Sequence, residues 1–228
     1  MRLNKYLAHC GIASRRKCDQ LIQDRKIFIN GSVETDYSHD VSNKDVVVFE
    51  NKVISLDDNQ YFLYLLNKPK GYICTNSDDS KKRVIDLIKS NNRLYTVGRL
   101  DVNTTGAILV TNNGDLANKL SHPRYNKEKK YIVKTKVDIP KEKYLKLKDG
   151  LNIGRNQKAK GIIKRIKKEN KYIYWEIKLT EGKNREIRRI FEKLDSEVIG
   201  LHRYEFAGLD VRGFRVGQYK KINPKIFK

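Results

Sequence analysis

Conventional catalytic and anchoring signals are scarce in this 228-residue chain. The three cysteines, Cys10, Cys18 and Cys74, form no Cys-x-x-Cys pair and no even-numbered framework, which argues against a disulfide scaffold or a paired-cysteine zinc site. His9 stands beside Cys10, but no second cluster of ligands accompanies them, so both read as ordinary helix residues. There is no Gly-x-Ser-x-Gly, no Walker-type phosphate loop and no His-Glu-x-x-His. The four histidines are scattered, which gives a His-based acid–base pair no support. No apolar run is long enough to span a membrane, and the N-terminus lacks the uninterrupted apolar stretch of a signal peptide. These absences predict a soluble, cytosolic protein whose chemistry uses neither metal nor cofactor.

Cations are abundant. Lys and Arg number 49 against 27 Asp and Glu, a net charge of +22 and a pI near 9.8. Such an excess predicts a polyanionic partner, with nucleic acid the default. The excess is not spread evenly. Residues 1–58 carry 9 basic and 9 acidic side chains, while residues 59–228 carry 40 and 18 and therefore the whole surplus. Within the first segment, residues 1–30 hold 7 basic and 2 acidic groups and residues 31–58 hold 2 and 7.

Leu3, Tyr6 and Leu7, then Cys18, Leu21 and Ile22, recur at helical spacing and predict two short amphipathic helices. Ser14 stands where its hydroxyl would cap the second, leaving Arg15, Arg16 and Lys17 in the first turn. Cations there oppose the helix dipole, so folding alone does not favour them; a phosphate at that end would suit both dipole and cations. Ile27-Phe28-Ile29 reads as a strand, Asn30-Gly31 as a tight turn and Val46–Phe49 as a returning strand. Arg2-Leu3-Asn4-Lys5-Tyr6-Leu7, Ser14-Arg15-Arg16-Lys17 and Ile27–Gly31 together resemble the RNA-binding domain named after small-subunit ribosomal protein four. The resemblance implies RNA contacts from Arg2, Lys5, Arg15, Arg16 and Lys17.

The polar stretch 55–60 reads as a linker, dividing the chain into an RNA-binding module, residues 1–58, and a larger domain, residues 59–228. Strand-like runs follow at Phe62–Leu66, Ile108–Thr111, Tyr131–Thr135 and Tyr172–Ile177, with helical stretches near 83–90, 113–120, 140–148 and 184–194. Without regular βαβ alternation, this mixture predicts an α+β fold: a small α/β module, then a mostly antiparallel mixed sheet flanked by helices. The Lys-rich stretches 127–130 and 158–171 read as exposed turns or strand edges.

One string stands out chemically. Gly98-Arg99-Leu100-Asp101 and Val102-Asn103-Thr104-Thr105-Gly106 present Arg and Asp on a glycine-flanked loop ahead of the apolar run Ala107–Val110. Asp101 has no acidic neighbour between Asp86 and Asp115, so the carboxylate cluster of a metal-dependent nuclease is missing. Taken alone, Arg-x-Asp is commonly a turn with an internal ion pair. The string continues, however, into His122-Pro123-Arg124-Tyr125, Glu128-Lys129-Lys130-Tyr131, Glu181–Phe191 and Gly200-Leu201-His202-Arg203-Tyr204. In this order the motifs resemble the bacterial rRNA pseudouridine synthases, the group of small-subunit and large-subunit uridine synthases.

That resemblance implies isomerisation of uridine to pseudouridine with Asp101 as nucleophile, Arg188 as its ion-pair partner and Tyr131 stacked on the flipped base. It also implies that Leu201 packs on the reacting nucleotide, that Arg99 holds the flipped-out backbone or wedges where the base left, and that Lys183, Arg185 and Arg189 contact phosphates. The reaction breaks the base–sugar bond, turns the base and rejoins it through carbon five. Nothing is oxidised and no atom is lost, so neither metal nor cofactor is expected. A carboxylate can supply the nucleophile, and one in a site that excludes water stays ionised only beside a cation. Helical spacing sets Arg185 and Arg189 on one face, with Arg188 turned about 100° from Arg189. Gly98–Gly106 with Gly114-Asp115-Leu116-Ala117-Asn118 looks most like the large-subunit members, so a folded stem-loop of 23S rRNA, free or in an assembling large subunit, is the expected partner of a monomeric enzyme. Alternatives are a 16S rRNA synthase and a non-catalytic assembly factor on the same fold. Ala107, where relatives usually carry Leu, and Lys130, where Glu is common, depart from the pattern.

Overall fold

A computed structural model describes residues 1–56, 60–77 and 82–227. The chain divides into two compact units: residues 1–62 with segments 90–93 and 112–114, and the remainder. The centre of the expected linker, residues 57–59, and the expected boundary after residue 58 lie outside the described residues.

In the first unit, α1 (Leu3–His9) packs on α2 (Arg15–Gln23) beside four short antiparallel strands, β1 (Ile27–Ile29), β2 (Ser32–Val33), β3 (Val47–Phe49) and β4 (Lys52–Ile54), in spatial order β2-β1-β3-β4. Leu3, Leu7, Cys18, Leu21, Ile22, Ile27, Ile29, Val41 and Val47 form its core, so the helical spacing of apolar residues marks the buried faces. Ser14 Oγ accepts the Lys17 amide at 3.2 Å and caps α2, whose first turn holds no acidic residue. Asn30 and Gly31 both have positive φ, 53° and 85°, as a two-residue hairpin turn requires. The turn joins β1 to β2; the expected returning strand, β3, pairs with the other edge of β1.

The second unit is built on β5 (Leu63–Lys68), β6 (Tyr95–Val97), β7 (Thr105–Thr111), β8 (Lys129–Thr135), β9 (Leu151–Asn152), β10 (Lys158–Ala159), β11 (Ile162–Glu169), β12 (Tyr172–Leu179), β13 (Gly200–Phe206), β14 (Leu209–Asp210) and β15 (Tyr219–Lys221). All but β9 and β10, which pair with each other, join one mixed sheet with the path β11-β12-β8-β13-β7-β5-β15, to which β6 is added by pairing with β7 and β14 by pairing with β13. Its ladders are antiparallel except where β13 lies parallel to β7. Helices α3 (Gly114–Ser121), α4 (Lys141–Leu145) and α5 (Glu186–Lys193) complete the unit. Where a helix is expected near 83–90 there is one 3-10 turn, Val84–Leu87, and that near 140–148 breaks into α4 and a 3-10 turn at Lys146–Lys148. Two long strands lack a clear sequence signal. Strand β11 exposes all but Ile163, and β13 carries a bulge between Arg203 and Glu205 that interrupts its alternation.

The parallel β13–β7 contact demands glycine. Gly106 has φ +108° and lies against β13 so closely that an added Cβ would stand 2.1 Å from the Arg203 carbonyl oxygen. That approach brings the start of β7, and the loop before it, against the strand that carries Leu201 and Arg203.

Candidate active site

Asp101 sits in the loop between β6 and β7, and buried polar groups hold that loop from below. Lys68, at the end of the fully buried β5, has no exposed surface. Its ammonium donates to the carbonyls of Thr104 at 2.9 Å, Pro69 at 3.0 Å, and Asp101 and Val102 at 3.3 Å. A buried ammonium costs several kcal/mol unless satisfied; here the carbonyls satisfy it, and burial holds its pKa below the ordinary lysine value. The Gly71 amide binds the Val102 carbonyl at 2.8 Å, and Cys74 Sγ accepts the Leu100 amide at 3.3 Å. The loop backbone is thus pinned while the Asp101 side chain remains 39% exposed.

Two arginines flank that carboxylate. Arg188 Nε and Arg185 Nη1 each lie 3.8 Å from Asp101 Oδ2. This is near enough for charge attraction but too far for a hydrogen bond, so neither arginine occupies the lone pairs of that oxygen. Arg188 is anchored by Nη1 donating to the Val198 carbonyl at 3.0 Å, and its buried Nε has no hydrogen-bond partner. Arg185 stands at the N-cap of α5 with φ 48°, ahead of the helix. The expected shared face of Arg185 and Arg189 therefore does not exist: helical geometry begins at Glu186, and the left-handed residue before it turns Arg185 toward Asp101.

Arg189 is committed elsewhere. Its guanidinium donates to the carbonyls of Ile153, Gly154 and Asn184 and to Gln157 Oε1, at 2.7–3.3 Å. It fastens the 153–157 turn to α5, which corrects its expected role as a phosphate contact. Lys183 is also engaged, in an ion pair with Glu181 and a 2.6 Å bond to the Lys158 carbonyl.

A cleft of ≈ 170 Å³ and a broader groove of ≈ 690 Å³ share Arg99, Asp101, Lys183, Arg185 and Arg188 as lining, while Arg189 lines neither. Tyr131 and Leu201, 7% and 9% exposed, line the cleft from neighbouring strands, where Tyr131 is registered against Arg203 and Leu201 against Val133. Arg99 is exposed at the mouth. The expected site residues Asp101, Tyr131, Arg188, Arg99, Lys183, Arg185 and Leu201 are brought together; Arg2, Lys5, Arg15, Arg16 and Lys17 belong to the first unit. The water-excluding site expected around Asp101 is instead open.

Three cleft-lining residues, Lys129, Glu186 and Arg203, and Lys68 beneath the loop escaped the sequence argument. Lys68 ends an apolar run, and its burial was its only sign. Lys129 and Glu186 lie inside the motifs quoted for Tyr131 and Arg188. Burial lowers the Lys129 pKa to about 8, and Arg203 pushes the same way. Glu186 is raised to about 7 by burial, opposed by the Lys183 amide that donates to it at 2.8 Å. Arg203, 3% exposed, donates from Nε to the Ala107 carbonyl at 2.7 Å and lies 4.6 Å from the Phe206 ring centroid.

A carboxylate flanked by two guanidinium groups, in a cleft lined by a tyrosine and a leucine from adjacent strands, suits nucleophilic chemistry on a flat base. Comparison with known proteins gives the same class. Residues 62–193 match the family model of RNA pseudouridylate synthase, and residues 1–47 match the S4 domain. The chain is 38% identical over 227 residues to ribosomal large subunit pseudouridine synthase B of Bacillus subtilis (strain 168), covering 98% of this chain and 92% of that one. It is 32% identical over 223 residues to the dual-specificity RNA pseudouridine synthase RluF of Escherichia coli (strain K12), covering 97% and 75%. A crystal structure of a pseudouridylate synthase has the same fold, with a TM-score of 0.70 at 24% identity over 100% of this chain and 98% of that one. The chain belongs to the RNA pseudouridylate synthase family and begins with an S4 domain.

Proposed function

We propose that the protein isomerises a uridine of 23S ribosomal RNA to pseudouridine in the cytoplasm, with residues 1–58 as an RNA-binding module and Asp101 as nucleophile. The observation that carries this reading is the Asp101 carboxylate held between Arg185 and Arg188 without a hydrogen bond from either, on a loop pinned by Lys68. The large-subunit synthase of Bacillus subtilis, 38% identical over nearly the whole chain, supports the choice of rRNA.

In this scheme the target nucleotide leaves its stack and enters the cleft, where Tyr131 and Leu201 pack on the base and Arg99 guards the vacated position. Bound RNA closes the open side of Asp101 and removes water, which strengthens the attraction of the two arginines for the carboxylate. Attack by Asp101 opens the covalent route and the base–sugar bond breaks. The base turns, carbon five bonds to the sugar, and the covalent bond to the Asp101 carboxylate breaks in turn; the proton on carbon five leaves and the former glycosidic nitrogen gains one, so substrate and product are isomers and the carboxylate is regenerated. Position-resolved pseudouridine mapping of 23S and 16S rRNA, from cells with and without the gene, tests the proposal. One 23S position lost with the gene and restored by the wild-type protein supports it; an unchanged map overturns it, and loss confined to 16S moves the substrate to the small subunit.

A further inference from the structure

Tyr131, Leu179 and Leu201 line the cleft from one face of the sheet. Alternate residues of the same strands point the other way. On that outer face β12 presents Tyr172 and Tyr174, while Ile173 and Trp175 between and beside them are buried. The register sets Lys134 of β8 against Tyr174, and Tyr174 against Lys167 of β11. Lys134 Nζ lies 3.7 Å from the Tyr172 ring centroid and 5.7 Å from that of Tyr174; Lys167 lies 5.2 Å from Tyr174, and Lys171 5.7 Å from Tyr172. Lys164, registered against Glu176, continues the row along β11. Helices α4 and α5 meet this end of the sheet at the inner-face Trp175, through Tyr144 and Phe191, with ring centroids 5.5 and 6.2 Å away.

Lysines on an exposed edge strand such as β11 deter strand-to-strand aggregation. That need does not reach Lys134, two strands further in, nor does it call for tyrosine rings beneath the ammonium groups. A lysine resting on an aromatic face keeps its charge, is held in place by the ring, and loses less freedom when it meets an anion. Lys134 and Lys167 stand two strand spacings apart, about 10 Å at the backbone, as separate points of contact. The nearby carboxylates are occupied: Glu169 pairs with Lys167 at 2.9 Å, and Glu176 accepts the Tyr204 hydroxyl at 2.6 Å. The balance on this face remains positive.

We propose that Lys134, Lys164, Lys167 and Lys171, arranged over Tyr172 and Tyr174, form a second RNA-binding surface that grips the phosphate backbone of a substrate segment other than the one entering the cleft. The inference rests on rRNA being the substrate. The test combines Lys134→Gln, Lys164→Gln, Lys167→Gln and Lys171→Gln in the full chain. Filter binding to a 23S rRNA transcript is followed across salt concentrations, with single-turnover pseudouridine formation at saturating enzyme. Loss of four phosphate contacts lowers the log–log salt slope by about 3, and affinity near physiological salt by at least about tenfold. The turnover rate under saturation and the thermal midpoint stay at the wild-type values, and the matching four Lys→Arg changes restore the slope. An unchanged slope in the Gln variant, with wild type binding normally, overturns the surface and leaves the enzymatic reading intact. Failure of wild type itself to bind the transcript overturns the rRNA reading and the surface with it.

Discussion

Asp101→Asn keeps the size of the side chain and removes the charge that the two arginines face. Loss of an essential nucleophile typically costs at least about 10⁴-fold in rate, so the variant is expected to be inactive while melting and binding RNA like wild type. Turnover near wild type would remove Asp101 from the chemistry. The arginines separate by anchorage. Both line the groove, but Arg188, 20% exposed and tied to Val198, is placed to serve the carboxylate, whereas Arg185, 56% exposed, presents most of its side chain to solvent. Arg188→Ala is expected to lose most single-turnover activity at saturating RNA with its salt slope unchanged. Arg188→Lys, with charge but no planar fork, should fall between. Arg185→Ala is expected to lose both rate and slope. If Arg188→Ala reacts normally under saturation, that residue contacts phosphate instead.

Glu186 adds a pH dependence at the same scale. Its carboxyl titrates near 7 in the folded chain against an ordinary value of 4.5, so the folded state holds the proton more tightly than the unfolded one. Stability therefore declines as pH rises from about 4.5 to about 7 and this contribution is level above that. Glu186→Gln keeps an acceptor for the Lys183 amide and has no charge to bury, so its melting temperature at pH 8 is expected to exceed that of wild type, with the gap closing toward pH 5. A constant gap across that range would show that the carboxyl does not titrate there.

At the scale of elements, the active-site loop depends on two residues that contact no substrate in this scheme. Lys68→Met preserves volume but withdraws the donor shared by four carbonyls. The Asp101 and Val102 carbonyls keep the Thr104 and Gly71 amides as donors. The other two lose Lys68 at about 1–3 kcal/mol each, offset in part because no ammonium is buried, so the variant is expected to lose about 2–3 kcal/mol in denaturant unfolding and to lower the single-turnover rate, with RNA affinity largely kept. Gly106→Ala drives a methyl into the Arg203 carbonyl at a positive φ. The clash and the strain together predict about 3 kcal/mol or more of destabilisation, the larger of the two effects. A Gly106→Ala chain as stable as wild type would mean that β13 and β7 separate without penalty. Elements with strong periodicity were legible beforehand: α1, α2, β5 and β12 declare themselves through spacing or continuous apolar runs. Strand β11 was legible only as an exposed turn or strand edge, because an edge strand exposed along nearly its whole length has no buried face to impose alternation. Helix α5 was legible, but its N-cap was not, since the left-handed Arg185 is an ordinary arginine in the sequence.

For the whole molecule, charge supplies the prediction. Arg15, Arg16 and Lys17 are exposed in the first turn of α2, where no acidic residue offsets them. Replacing all three by Ser in the full chain is expected to lower the log–log salt slope of rRNA binding by about 2–3, leaving the single-turnover rate at saturation intact; an unchanged slope would mean that this helix end binds no phosphate. By itself, the sequence determined the polycationic character, the α+β class and the identity of the motif residues, because charge, composition and local periodicity are properties of the chain before it folds. Tertiary structure alone decided that Arg185 joins Arg188 at Asp101, that Arg189 is used up in holding a turn, and that Lys68 carries the loop from beneath. Those outcomes depend on which carbonyls and charges lie within a few ångströms once strands distant in sequence are paired, and residue spacing along the chain does not encode that distance.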